Sequence, residues 1–182
     1  MPDSLPQFRY HPNPLATGTV ERSDRQCVVC GRASGYIYKG PIYAERDLDE
    51  RVCPWCIADG RAHRELGAEF FDAAGVGDPG DGAPVPDSVV DEIVQRTPSF
   101  TGWQQERWLT CCGDAAAFIG HAGKTELEVA GEQAVESIRT ESGYEGDEWQ
   151  DFLVSLDAKG SPTAYLFRCL HCGKVAGYSD FD

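Results

Sequence analysis

The chain has 182 residues, 41% of them hydrophobic, and a formal net charge of −14. This length suits one domain, or one domain with a small appended module, and the composition is that of a globular protein. The excess of 30 acidic over 16 basic residues argues against non-specific binding to DNA or RNA and against docking on anionic lipid, because both surfaces attract cations. We therefore expect neither nucleic acid nor membrane as a partner.

The N-terminal segment lacks the features of a secretory signal. It carries no basic n-region followed by an apolar run, and no stretch of the chain approaches the roughly 20 apolar residues that span a bilayer. A cytoplasmic location is the resulting expectation. Because the cytosol keeps thiols reduced, we expect the eight cysteines to serve as metal ligands or free thiols rather than as disulfides.

Two Cys-x-x-Cys pairs in the N-terminal part have a spacing close to that of a four-cysteine zinc site. They are separated by 22 residues and comprise Cys27, Cys30, Cys53 and Cys56. Gly31 permits the tight turn of a metal knuckle after the first pair. Pro54 suits the first position of a short helix that we expect to end near Gly67. Most four-cysteine sites are structural, so we predict a structural Zn²⁺ here.

The segment between these pairs predicts the type of module. Residues 36–43 are rich in tyrosine and isoleucine around a Gly-Pro turn, which indicates two short strands. Knuckle, hairpin and helix in this order are typical of a treble-clef zinc module, which we expect over residues 1–74. The alternative for the Cys53 pair is a thioredoxin-type dithiol. That motif should follow a buried strand, and the charged residues 45–52 do not resemble one.

The middle of the chain contains a segment rich in Gly, Pro and Asp at residues 75–86, which predicts a loop or linker. An α+β region is expected to follow over residues 87–182. Ser88 and Asp91 form a candidate capping box for a helix that should stop before Pro98. The hydrophobic pattern then indicates a helical turn over 103–109, a buried strand over 115–120 and helices over 125–138 and 148–156.

The C-terminal pair, Cys169 and Cys172, lies between two predicted strands, as in a zinc-ribbon hairpin. This hairpin supplies two ligands and requires two more. Cys111 and Cys112 are the remaining cysteines, so we predict a second Zn²⁺ bound by these four residues. If Cys111 and Cys112 are instead small buried apolar side chains, the alternative ligands are Asp114, His121 and His171.

Six blocks along the chain carry a family resemblance: residues 12–18, 35–38, 53–60, 96–98, 103–104 and 118–120. Together they resemble the CbrC protein family, which implies a bacterial, soluble protein without an established biochemical activity. The family pattern implies a His-Cys pair and a third cysteine four residues later, where this chain has Cys111, Cys112 and Ala116. If position 116 holds a ligand in the family, the fourth ligand here becomes water, His121 or Asp114, and the second site resembles a catalytic one.

These observations predict an α+β protein with a treble-clef-like N-terminal zinc module and a C-terminal zinc-ribbon-like hairpin packed with short helices. The predicted function is that of a structural-zinc interaction or scaffold protein with a protein partner. The alternative is an enzyme, either a thiol oxidoreductase that uses a Cys-x-x-Cys pair or a metal-dependent hydrolase with an open second site.

Overall fold

A computed structural model describes residues 4–80 and 85–182. It has mixed α/β structure and divides into two compact units. The first unit contains the described residues up to Val76 together with Pro86–Thr101, and the second contains those of Gly77–Val85 together with Gly102–Asp182. Residues 81–84 of the predicted linker lie outside the described residues, as do residues 1–3 of the predicted N-terminal module.

The first unit has one small sheet and short helices. Strand β1 (Val20–Ser23) pairs antiparallel with β2 (Gly35–Tyr38), with Val20 opposite Tyr38. Its other elements are α1 (Pro54–Ala58), α2 (Arg61–Leu66), a 3-10 turn (Ala73–Gly75) and α3 (Asp87–Arg96).

The expected hairpin over residues 36–43 is wrong. Only Gly35–Tyr38 forms a strand there, and its partner is β1, which precedes the first cysteine pair. Tyr43 instead makes an isolated antiparallel bridge with Glu69. The Tyr38 hydroxyl donates to the Pro41 carbonyl at 3.0 Å. The turn therefore packs against the Tyr38 side chain and does not lead into a second strand.

The helix expected after Cys53 is divided in two at Gly60, whose φ of +72° is left-handed. It ends at Gly67, as predicted, with a second left-handed backbone at φ +64°. Glycine tolerates this conformation because it has no Cβ. The two short helices let the chain place Cys53 and Cys56 at the start of α1 and still return toward Phe70 in the core.

The second unit contains three helices and two three-stranded sheets, except that Val76, the first residue of β3, belongs to the first unit. The strand order is β3-β4-β5 in one sheet and β6-β7-β8 in the other. The strands are β3 (Val76–Gly80), β4 (Trp108–Cys111), β5 (Asp114–Ala115), β6 (Ala117–Ala122), β7 (Thr163–Arg168) and β8 (Val175–Asp180). The helices are α4 (Lys124–Ala130), α5 (Glu132–Ser142) and α6 (Gly146–Ser155).

Two further expectations for this region are corrected. The single helix predicted over 125–138 is interrupted at Gly131, whose φ of +100° cannot continue a helix. The helical turn predicted over 103–109 is instead a loop that leads into β4, because Trp108 and Leu109 are buried as strand residues. The strand predicted over 115–120 is present as β6, and the helix predicted over 148–156 is present as α6.

Helix α5 covers the outer edge of β8. The Ser137 hydroxyl accepts from the Gly177 N–H at 3.0 Å and lies 3.3 Å from the Gly177 carbonyl oxygen. One turn later, the Glu141 carboxylate accepts from the Ser179 N–H at 3.1 Å. These contacts satisfy backbone groups that an edge strand otherwise exposes. None of the helices in the described part of the chain combines the length and the apolar character that a membrane span requires.

Candidate metal centres

The first centre brings together the two N-terminal cysteine pairs. The Sγ atoms of Cys27 and Cys56 lie 3.7 Å apart, and those of Cys30 and Cys53 lie 3.9 Å apart. All four sulfur atoms lie within 4.8 Å of one another, so the group could hold a metal ion. Cys30 is half-buried and the other three are buried. The hydrophobic core of this unit surrounds them, and the side chain of Trp55 packs against it.

The backbone around Cys27 forms a tight loop that presents the sulfur. The Cys27 N–H donates to the Arg32 carbonyl at 2.9 Å, and the Gly31 N–H returns to the Cys27 carbonyl at 2.8 Å. Gly31 has the φ of +68° that this loop requires. The Cys53 N–H donates to the Cys27 sulfur at 3.3 Å. Backbone N–H groups that face a sulfur favour its thiolate form, which is the form that binds metals.

The pKa values of the buried cysteines in the first centre differ from one another. The pKa of Cys27 is lowered to about 4, because it shares a hydrogen bond with the Cys53 thiol and accepts from backbone N–H groups. The same shared hydrogen bond raises the pKa of Cys53 well above its ordinary value. Burial raises the pKa of Cys56 to about 12. A thioredoxin-type dithiol is an isolated pair, whereas the sulfurs of Cys53 and Cys56 converge here with two further cysteine sulfurs.

Two arginines lie next to the sulfurs of the first centre. A hydrogen bond with Cys30 raises the pKa of the Arg32 guanidinium, and contacts with Asp59 and then with Cys56 raise that of Arg61. Four thiolates around a divalent ion carry a formal charge of −2. The two guanidinium groups therefore supply compensating positive charge at this centre.

The second centre unites β4, its turn and the C-terminal hairpin. The Cys111 sulfur lies 3.7 Å from that of Cys112 and 3.8 Å from that of Cys172. With Cys169 these four sulfurs also lie within 4.8 Å of one another and could hold a metal ion. Cys169 is buried, Cys111 is half-buried, and Cys112 and Cys172 are exposed.

A two-residue turn explains how adjacent cysteines can converge. Cys111 pairs with Asp114 across the β4–β5 hairpin, and Cys112 and Gly113 form the turn between them with φ values of +57° and +70°. Two left-handed residues in a two-residue loop are typical of a type I′ turn. The strand orients Cys111 and the turn redirects Cys112, so that both sulfurs reach the same point.

The loop at Cys169 repeats the geometry of the loop at Cys27. The Cys169 N–H donates to the Lys174 carbonyl at 2.9 Å, and the Gly173 N–H returns to the Cys169 carbonyl at 3.1 Å. The N–H groups of His171 and Cys172 each donate to the Cys169 sulfur at 3.4 Å. Burial opposes the thiolate, but these N–H groups outweigh it and lower the pKa of Cys169 to about 6.

The donor sets fit a tetrahedral zinc ion. Zinc binds thiolate sulfur at about 2.3 Å, so a regular tetrahedron places its sulfurs about 3.8 Å apart. The four sulfur separations given above lie between 3.7 and 3.9 Å. A disulfide requires about 2.05 Å, and all eight cysteines are free thiols.

The alternative ligands of the second centre lie outside the group of four sulfurs. His171 Nε2 lies 2.8 Å from Asp114 Oδ2, and the second Asp114 oxygen accepts from the Ala115 N–H at 2.8 Å. The His121 ring packs edge-on against Phe118 and Tyr165 in the sheet. Sequence reasoning missed the pairing of His171 with Asp114, because only the hairpin register brings positions 57 residues apart together.

The family model and the relatives that match this chain all indicate the same family. A model described as an uncharacterised protein family, UPF0167, matches residues 5–181. A UPF0167 protein of Mycobacterium bovis is 47% identical over 99% of this chain and 95% of its own length. A UPF0167 protein of Pseudomonas aeruginosa is 42% identical over 97% of each chain. No solved structure shows a significant match.

Proposed function

The chain belongs to the uncharacterised family UPF0167, the CbrC-type family, and we propose from the two sulfur clusters that it is a structural-zinc protein with two Zn(Cys)₄ centres. The observation that carries the proposal is the convergence of four sulfurs in each cluster, all within 4.8 Å of one another and with two separations per cluster of 3.7–3.9 Å. Sulfur-only sets with this tetrahedral spacing favour zinc or iron over harder ions such as Mg²⁺ and Ca²⁺.

Each centre offers a complete tetrahedral shell. Catalytic zinc sites use three protein ligands and leave the fourth position to water or substrate. Four cysteines converge at both centres and would fill that position. This arrangement supports a role in stability rather than hydrolysis, and it requires no ligand at Ala116, where the resemblance to the CbrC family implies a cysteine.

The finer classification of each module is part of the proposal. A loop of the knuckle type followed by a pair at the start of α1 supports a treble-clef-like first centre, with β1 in place of the expected second strand of the hairpin. The loop at Cys169 between the antiparallel strands β7 and β8 supports a zinc-ribbon-like second centre.

The role in the cell that we propose is that of an interaction or scaffold module with a protein partner. Zinc would fix loops that contain little regular structure, such as residues 24–34 and 169–174. Fixed loops can present side chains to a partner with little loss of entropy on binding. Leu170 at the tip of the second loop is 40% exposed and is one such side chain.

Metal analysis tests the proposal directly. The full chain, purified without chelator, should contain two equivalents of zinc by elemental mass spectrometry. Cobalt substitution should give the intense visible absorption of a tetrahedral thiolate complex. Iron in place of zinc, or fewer than four sulfurs per ion by X-ray absorption spectroscopy, would contradict it.

The variant Cys30→Ser tests the first centre. It should retain one zinc and lose the fold around residues 27–60, because structural zinc contributes about 10–16 kcal/mol in small modules and a domain is stable by only about 5–15 kcal/mol. Ser34→Ala, four residues along the same loop, is the control. Unchanged stability and two zinc ions in Cys30→Ser would refute the assignment.

A further inference from the structure

A large cavity in the second unit shares a wall with the second sulfur cluster. Its volume is about 1130 Å³, slightly above the range of about 300–1000 Å³ in which small molecules usually bind. Cys111 and Cys169 line it, together with residues of α5. Nothing in the proposed structural role of zinc requires this space.

The floor of the cavity is apolar. It is built from strand residues and one residue of α5, namely Leu109, Ala116, Phe167, Ala176 and Val135. Phe167 is held by edge-on contact with Trp108, and both are almost completely buried. An apolar body that enters the cavity would therefore meet a preformed surface and release water from its accessible part, to which the half-buried Val135 and Ala176 contribute.

The rim is acidic. Four glutamates line the cavity, namely Glu128, Glu132, Glu136 and Glu141, and Lys174 is the one basic side chain among the described residues that line it. The unit around it is also acidic. Residues 77–85 and 102–182 contain 16 acidic and six basic residues, a net charge of −10, whereas the rest of the chain has a net charge of −4.

The partners of these glutamates leave them available to a ligand. Glu128 pairs with Lys124 and Glu136 with Arg139, but the side chains of both pairs are 42–59% exposed. Such solvated pairs contribute little and exchange readily. Glu132 takes part in none of the ion pairs of the described residues. Glu141 is engaged by Arg107 and the Ser179 N–H. Arg139 donates to both oxygens of Glu136, whose side chain is still 59% exposed and open to a further cation.

We propose that this cavity is a binding site for a small amphipathic amine, a molecule with an apolar body and an ammonium group. The apolar floor would take the body, and Glu132 and Glu136 would bind the cation at the rim. Bound zinc would strengthen this preference, since a four-thiolate centre that includes Cys111 and Cys169 would add a formal negative charge to the cavity lining. The proposal goes beyond the zinc centres, because the floor and rim exist without them.

Three ligands of one length test the chemistry. Octylammonium, octanoate and octanol are titrated into the ¹⁵N-labelled, zinc-loaded full chain and followed by NMR. Octylammonium should give saturable shifts confined to α5, β4 and β8, at concentrations at least about tenfold below those of the other two, which corresponds to about 1.4 kcal/mol. Equal affinity for all three would overturn the cation preference.

Paired variants locate the binding. Glu132→Gln with Glu136→Gln should weaken octylammonium binding roughly three- to tenfold. Glu148→Gln with Asp151→Asn removes the same charge from exposed positions of α6 outside the cavity and should change it little. Equal losses of octylammonium affinity in the two double variants would mean that the net charge of the protein alone attracts the ligand, and would overturn the assignment of the site.

Ala176→Leu fills the floor and should abolish binding. If that variant fails to fold, the glutamate pairs decide the question. Zinc content measured on the same samples separates the two proposals. Two zinc ions without amine binding overturn the cavity assignment alone, and amine binding at this cavity in a chain that takes up no zinc overturns the zinc assignment alone.

Discussion

Cys112 occupies a backbone conformation that its residue type disfavours. Its φ of +57° is left-handed, which costs a residue with a Cβ about 1–2 kcal/mol. Type I′ turns prefer Asn-Gly or Asp-Gly, and here the sequence is Cys-Gly. Such strain is expected where a site constrains the residue. Here the left-handed turn directs the Cys112 sulfur toward Cys111, and this constraint accounts for the strain.

The variant Cys112→Asn separates the ligand from the turn. Asparagine tolerates the left-handed conformation, so the β4–β5 hairpin should persist. The second zinc ion should be lost, because a neutral amide does not replace a thiolate in a sulfur site. Elemental analysis should therefore fall from two zinc ions to one, while circular dichroism shows the secondary structure retained. Two zinc ions in this variant would exclude Cys112 as a ligand.

At the scale of elements, local signals identified the loops with glycine after the second cysteine and the helix that begins at Pro54. They could not identify the partner of a strand. The segment 35–38 has the strand signal that the sequence indicated, but β1 lies on the other side of the first cysteine loop. Register between distant segments depends on packing, and the short pattern 20–23 carries too little information to predict it.

The position of a helix break at a glycine is also difficult to predict from local sequence. Gly131 divides α4 from α5 although the hydrophobic pattern runs through it, because one glycine inside an amphipathic pattern indicates either a weak helix position or a break. The break allows Leu127 and Ile138 to reach the same core as Trp149.

The cavity could not be predicted from the sequence either, since the residues that line it come from elements far apart in the chain, including α5, β4 and β8.

Ser137→Ala tests the cover of the β8 edge. Removal of the hydroxyl leaves the Gly177 N–H and carbonyl without their partner, and an unsatisfied buried group costs about 1–3 kcal/mol. Ser142→Ala, at the exposed end of the same helix, should change the free energy of unfolding by less than about 0.5 kcal/mol. Urea denaturation of both variants measures the difference. Equal effects would show that the edge contact contributes nothing.

At the scale of the whole molecule, charge separates this protein from zinc proteins that bind nucleic acid. Eight bound thiolates add eight negative charges and two Zn²⁺ return four, so the formal charge changes from −14 to −18. Phosphate binding requires a cationic surface. We expect no binding to random duplex DNA at physiological salt in a fluorescence anisotropy titration. Salt-sensitive binding would overturn this prediction and the exclusion made from composition.

The two centres should differ in how fast they release metal. Three of the four sulfurs in the first centre are buried, whereas Cys112 and Cys172 in the second are exposed. A chelator must reach a thiolate or the ion itself, and the first centre offers only the half-buried Cys30 until the surrounding core opens. Excess chelator with a colorimetric zinc indicator should therefore show one equivalent released quickly and one slowly.

Variants assign the two phases of release. Cys172→Ser should abolish the fast phase and leave the slow one, because the exposed centre then no longer holds zinc. Arg32→Ala should accelerate the slow phase, because it removes positive charge from beside Cys30. Lys174→Ala, a cation at the second centre's cavity, is the matched control and should leave the slow phase unchanged. A single phase of two equivalents would show that the centres open together, despite their different burial.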